Sequence, residues 1–78
     1  MNKRQKQIDY TAIGKRVFDL RSARGYSQME LAELLGVERR QIGRIENGSS
    51  LLKTEVIILM AKAFGVSTDY ILNGIKGR

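Results

Sequence analysis

The sequence predicts an all-α domain of five helices. Apolar residues recur at intervals of three and four along most of the chain, and no stretch alternates as a half-buried strand would. Cap residues and glycines fall where short helices would begin and end, and the absence of proline leaves none of them interrupted.

Each element follows from local chemistry. Met1 to Gln7 is polar, carries Lys3, Arg4 and Lys6, and has nothing to bury, so residues 1–8 read as a flexible basic arm. This arm is either a solvated start or a segment that settles on phosphates. Asp9 or Thr11 can cap a first helix running to about Arg24, with Ile13, Val17 and Leu20 as its inner stripe and Phe18 beside them. Lys15, Arg16 and Asp19 are expected to face outward, and Gly25 to stop the helix. Ser27 and Glu30 form the pattern of a capping box opening a second helix, whose Leu31, Ala32, Leu34 and Leu35 are expected to bury one face. Gly36 ends it, because a tight turn needs a left-handed residue and glycine adopts that conformation without a Cβ clash. Val37 is a natural plug before a third helix with Ile42 and Ile45 inward and Arg39, Arg40, Gln41, Gly43 and Arg44 outward. Asn47-Gly48 reads as its end. A loop over 49–53, unusually apolar at Leu51 and Leu52, leads to a fourth helix opened by Lys53 or Thr54 and ending at Phe64-Gly65. Ser67 caps a short fifth helix, Thr68 to about Leu72, and Asn73-Gly74 closes the domain at residues 9–74, leaving 75–78 as a tail.

Composition narrows the chemistry. At 78 residues there is room for one small domain. Cysteine and histidine are both absent, which removes disulfides, the usual zinc sites and most acid–base or nucleophilic mechanisms. The eight acidic residues show no paired arrangement suited to carboxylate catalysis, so neither an enzyme nor a cofactor is expected. A net charge of +6 points instead to a polyanionic partner. No apolar run approaches the roughly 20 residues of a membrane span, and no apolar stretch follows the basic start as in a signal peptide. Cytoplasmic residence without a membrane partner is the expectation.

The chain resembles the Cro/C1-type (XRE-like) helix-turn-helix regulators. The stretch IGKRVFDLRSARGYSQMELAELLGVERRQIGRIENG, from Ile13 to Gly48, carries the likeness together with MAKAFGVSTDYIL, from Met60 to Leu72. The Ser-Gln pair, the Leu-Ala, the turn glycine, the isoleucine stripe and the Glu-Asn-Gly stop all appear in register. The resemblance implies a lambda-repressor-like bundle whose second and third helices form the helix-turn-helix, with the third entering the major groove of double-stranded DNA. Carried over position by position, it places Gln28 and Asn47 on phosphates and Arg39, Arg40 and Arg44 at base-reading positions, with Gln41 and Gly43 beside them. It also implies a partly buried ion pair between Arg21 and Glu46. Three departures stand out: Glu38 replaces the usual Ser or Thr cap, a common proline before the fourth helix is missing, and Gly43 sits inside the third helix at a cost of about 1 kcal/mol relative to alanine.

The arginines suit the implied role. A guanidinium is always charged, and its planar fork can grip guanine O6 and N7 together. Base contact is expected of Arg39 and Arg44, while Arg40 fits base or phosphate equally. The fourth helix holds a further apolar pattern. Ile57, Met60, Ala61 and Phe64 can line the core, whereas Leu52, Val56, Leu59 and Ala63 trace a second stripe at i, i+4, i+7 and i+11. A homodimer through Leu51, Leu52, Val56 and Leu59, with Tyr70 and Ile75 nearby, is the expectation, bound to a palindromic operator as a repressor. At this length no small-molecule effector is expected. The alternative function is a protein-interaction module, such as an antitoxin, that uses the same fold to hold a protein partner.

Overall fold

The computed structural model describes residues 8–49 and 52–75. The expectations for the basic arm over 1–7, for Leu51 and for the end of the tail lie outside them. Five helices follow one another: α1 (Tyr10–Ala23), α2 (Gln28–Leu35), α3 (Arg39–Glu46), α4 (Thr54–Phe64) and α5 (Thr68–Asn73). No strand occurs among the described residues.

The starts are set by side chains that satisfy the orphan N–H groups of a first turn. Asp9 rather than Thr11 caps α1, its carboxylate accepting from Ala12 N at 3.0 Å. Both legs of the capping box form at α2: Glu30 N donates to Ser27 Oγ at 3.0 Å, and Ser27 N donates to Glu30 Oε1 at 2.8 Å. Ser67 Oγ accepts from Tyr70 N at 2.9 Å and opens α5, which runs one residue past Leu72. Between α2 and α3 the chain turns at Gly36, with φ at 74°, and Val37 packs half-buried behind it.

The core draws on every helix. Ile13, Val17 and Leu20 of α1 meet Leu31, Ala32 and Leu35 of α2, Ile42 and Ile45 of α3, four residues of α4, and Ile71 of α5. Three expectations need correction. Leu34 is exposed, because Leu31, Ala32 and Leu35 already span the inner face of α2; nothing in the structure explains its apolar character. Phe18 also lies outside the core, its ring beneath the Arg21 guanidinium at 5.3 Å. On α4 the phase differs by one residue: Val56, not Ile57, joins Met60, Ala61 and Phe64 in the core. Positions 56, 60 and 64 share one face of a helix, whereas either 56 or 57 satisfies the apolar spacing alone. Val56 is therefore unavailable to a partner, and Leu52 is half-buried against the same core. Ile58 and Leu59 are the large apolar side chains that α4 leaves exposed.

Helix α1 also holds the other helices by their ends. Arg16, expected to face outward, donates from its Nη1 to the Ile71 carbonyl at 2.8 Å. Arg24 donates from Nε to the Phe64 carbonyl at 2.8 Å, with its guanidinium over the Phe64 ring. Cations at the carbonyl ends of α4 and α5 satisfy unpaired acceptors and oppose the helix dipole.

Two glycines inside helices have opposite meanings. Gly14 is buried where α1 crosses the end of α3, and a Cβ there would collide with the carbonyl oxygens of Ile45 and Glu46. A Cβ on Gly43 would meet only the Gln28 amide, at 3.9 and 4.0 Å, which is ordinary contact. Packing demands the first glycine and not the second. Thermal denaturation should therefore show Gly14→Ala destabilised by about 1–3 kcal/mol through overpacking and Gly43→Ala stabilised by about 0.5–1 kcal/mol through helix propensity. Equal responses would contradict the assignment.

Candidate nucleic-acid interface

Helix α3 buries Ile42 and Ile45 and turns Arg39, Arg40 and Arg44 to solvent, with Gln41 and Gly43 at half-buried positions on its flanks. Asn47, its C-cap, is exposed at the far end. Gln28, the first residue of α2, lies against the same helix.

A polar chain joins these elements. Arg21 of α1 grips Glu46 bidentately, Nε to Oε2 at 2.6 Å and Nη2 to Oε1 at 3.0 Å, and its Nη1 donates to the Tyr26 carbonyl at 2.8 Å. The pair is largely excluded from water, with side-chain exposures of 11% and 5%. The hydrogen bond to Glu46 raises the Arg21 pKa above its ordinary value, against the opposing effect of burial, and the carboxylate's charge adds to the rise. The guanidinium is thus charged at every pH at which the protein would be handled. Glu46 Oε1 also accepts from Gln28 Nε2 at 3.0 Å, and Gln28 Oε1 in turn accepts from Arg39 Nη1 at 2.9 Å. The chain therefore runs from α1 through α3 and α2 back to the first residue of α3.

The three arginines are held differently. Arg39 is tied to Gln28. Arg40 donates from Nε to Glu38 Oε1 at 3.2 Å, both side chains standing in solvent. Arg44 has no acidic side chain within salt-bridge distance among the described residues. Two links go beyond what the sequence predicts. The Gln28–Glu46 bond spans 18 positions, beyond any local pattern, whereas the short Glu38–Arg40 separation could have suggested a contact once Glu38 was placed outside the helix. Among the described residues, no cluster of acidic side chains could hold a metal ion, and no helix is long and apolar enough to cross a membrane.

This geometry is that of a helix-turn-helix unit: a capped helix, a glycine turn, and a second helix with an exposed basic face. A helix-turn-helix family profile matches residues 18–71, well over half of the chain. The chain belongs to the helix-turn-helix family of Cro/C1 type. A putative HTH-type transcriptional regulatory protein from Pyrococcus abyssi is 38% identical over 65 residues, which are 83% of this chain and 21% of that protein. The restriction-modification controller protein C.AhdI from Aeromonas hydrophila superposes with a TM-score of 0.76 at 32% identity, covering 81% of this chain and 96% of that one. The P22 c2 repressor, solved in complex with a synthetic operator, gives a TM-score of 0.78 at 26% identity, covering 90% of this chain and all of that one. The curated relatives are mostly longer: the chain spans 13% to 57% of their lengths.

The polar chain has a measurable consequence. Removing one partner of a buried ion pair leaves an uncompensated charge, and Glu46→Ala should lose about 3–5 kcal/mol of stability. Glu33→Ala, on the exposed face of α2, should stay within about 0.5 kcal/mol of the parent. For a domain of this size the difference is a melting-temperature gap of more than roughly 10 °C, and calorimetry showing equal losses would refute the structural role of the pair.

Proposed function

We propose that the chain is a sequence-specific double-stranded DNA-binding transcriptional regulator that presents α3 to the major groove. The basic outer face of α3 carries this reading: Arg39, Arg40 and Arg44 stand exposed on a helix whose other side is anchored in the core. Gln28 and Asn47 flank that face and act as phosphate clamps; the second N–H of the Gln28 amide and the exposed Asn47 side chain are the donors. Gly43 fits the same picture. Internal packing does not require it, so its missing side chain serves an approach from outside, between Arg39 and Arg44. An acidic or apolar α3 would have favoured a protein partner; three arginines favour phosphate and guanine.

The reading extends to a repressor that occupies a palindromic operator as a homodimer. It is supported by the likeness to the P22 c2 repressor, whose structure was solved on an operator, and by Ile58 and Leu59 standing in solvent on α4. Pairing two copies over these residues in place of Val56 would set two recognition helices about 34–36 Å apart, one turn of DNA. Residence in the cytoplasm goes with that role.

Two measurements test the reading. Selection of bound duplexes from a random pool should return a G-containing half-site, and Arg44→Ala should cost about 1–3 kcal/mol of binding and relax one or two positions. Uniformly weaker binding with an unchanged logo would place Arg44 on phosphate. In sedimentation equilibrium at micromolar concentration the parent chain should be a dimer and Leu59→Glu a monomer. A monomeric parent chain removes the dimer.

A further inference from the structure

Glu38 occupies the N-cap position of α3 yet does no capping: its side chain makes no hydrogen bond to the N–H groups of the first turn. Its Oε1 instead accepts from Arg40 Nε at 3.2 Å. Residues two apart within a helix do not face each other. This pair forms because Glu38 is extended, at φ −81° and ψ 148°, and lies outside the helix, where its side chain can reach along the first turn.

Stability does not account for the arrangement. The two side chains are 76% and 71% exposed, and ion pairs in that setting contribute little. A Ser or Thr at this position would cap the helix. A carboxylate at the leading end of a DNA-reading helix also repels phosphate. What the contact does is orient the guanidinium. With Nε engaged, the Nη1 and Nη2 groups remain free, and that end presents two parallel donors to guanine O6 and N7. A swing of Arg40 toward the DNA backbone would break the contact.

We propose that Glu38 is a positioning residue that commits Arg40 to reading guanine and denies it to phosphate. This rests on the DNA-binding reading of α3 and assigns Arg40 a role distinct from that of Arg39, which is steadied by a neutral amide, and of Arg44, which pairs with no acidic side chain among the described residues.

The test is selection from a random duplex pool with the parent chain, Arg40→Ala, Glu38→Ala and Glu38→Gln, together with the salt dependence of binding to random-sequence duplex. Arg40→Ala should erase a guanine preference at one position of the half-site. Glu38→Ala should weaken discrimination at that same position by about two- to fivefold, the scale of an exposed ion pair. Its binding to random duplex should tighten, and the slope of log K against log salt should steepen by about 0.9 as Arg40 takes up one more phosphate. Glu38→Gln keeps an acceptor oxygen for Nε and should retain more of the preference than Glu38→Ala. The proposal is overturned if Arg40→Ala changes one position and Glu38→Ala leaves it intact. It is equally overturned if Arg40→Ala weakens binding uniformly. A parent chain that binds duplex without selecting any sequence would instead remove the sequence-specific reading of α3, and Glu38's role with it.

Discussion

One carboxylate ties together the helix-turn-helix half of the molecule. Glu46, at the last turn of α3, takes two hydrogen bonds from Arg21 of α1 and one from Gln28 of α2. Beside it, the backbones of α1 and α3 are in contact at Gly14, where no side chain could fit. A buried ion pair is weak evidence of net stability, since desolvation offsets much of its attraction. Its geometric demand is strict, however, because a buried guanidinium and carboxylate must meet with their hydrogen bonds satisfied. That demand and the steric limit at Gly14 both constrain how α3 sits against α1.

The distribution of positive charge follows from the same architecture. Arg16 and Arg21 lie on α1 and Arg24 is its C-cap, and each donates to a carbonyl or carboxylate of another segment. These cations are consumed in joining helices. Phe18 takes part by covering Arg21, which explains an aromatic ring left outside the core. The arginines of α3, by contrast, stand exposed on its outer face, and none of them pairs with an acidic side chain of another helix among the described residues.

Much of this was legible in the sequence because helix starts and stops are local chemistry. The Ser27–Glu30 box, Ser67 and the turn at Gly36 each act within four residues and are found where spacing put them, and Asp9 is one of the two caps that spacing allowed for α1. The phase of α4 was not legible. Large apolar side chains at five successive positions, 56–60, satisfy more than one stripe, and only packing against the rest of the core selects Val56 over Ile57. Contacts between distant residues were equally silent. Arg16 reaches Ile71 across 55 positions, and no periodicity announces that. The pairing of Arg21 with Glu46 came from likeness to a family and not from the residues themselves. The structure adds its bidentate geometry and its link to Gln28.

That link has a direction. The Gln28 amide donates to Glu46 at one end and accepts from Arg39 at the other, so a carboxylate is translated into an acceptor for a cation without two negative charges meeting. Few side chains can do this. Glutamate would lack the donor and stand against Glu46, lysine would lack the acceptor and stand against Arg39, and asparagine is one carbon shorter. The start of α2 is therefore constrained by polarity as much as by shape: it works as a one-way connector whose two ends are not interchangeable.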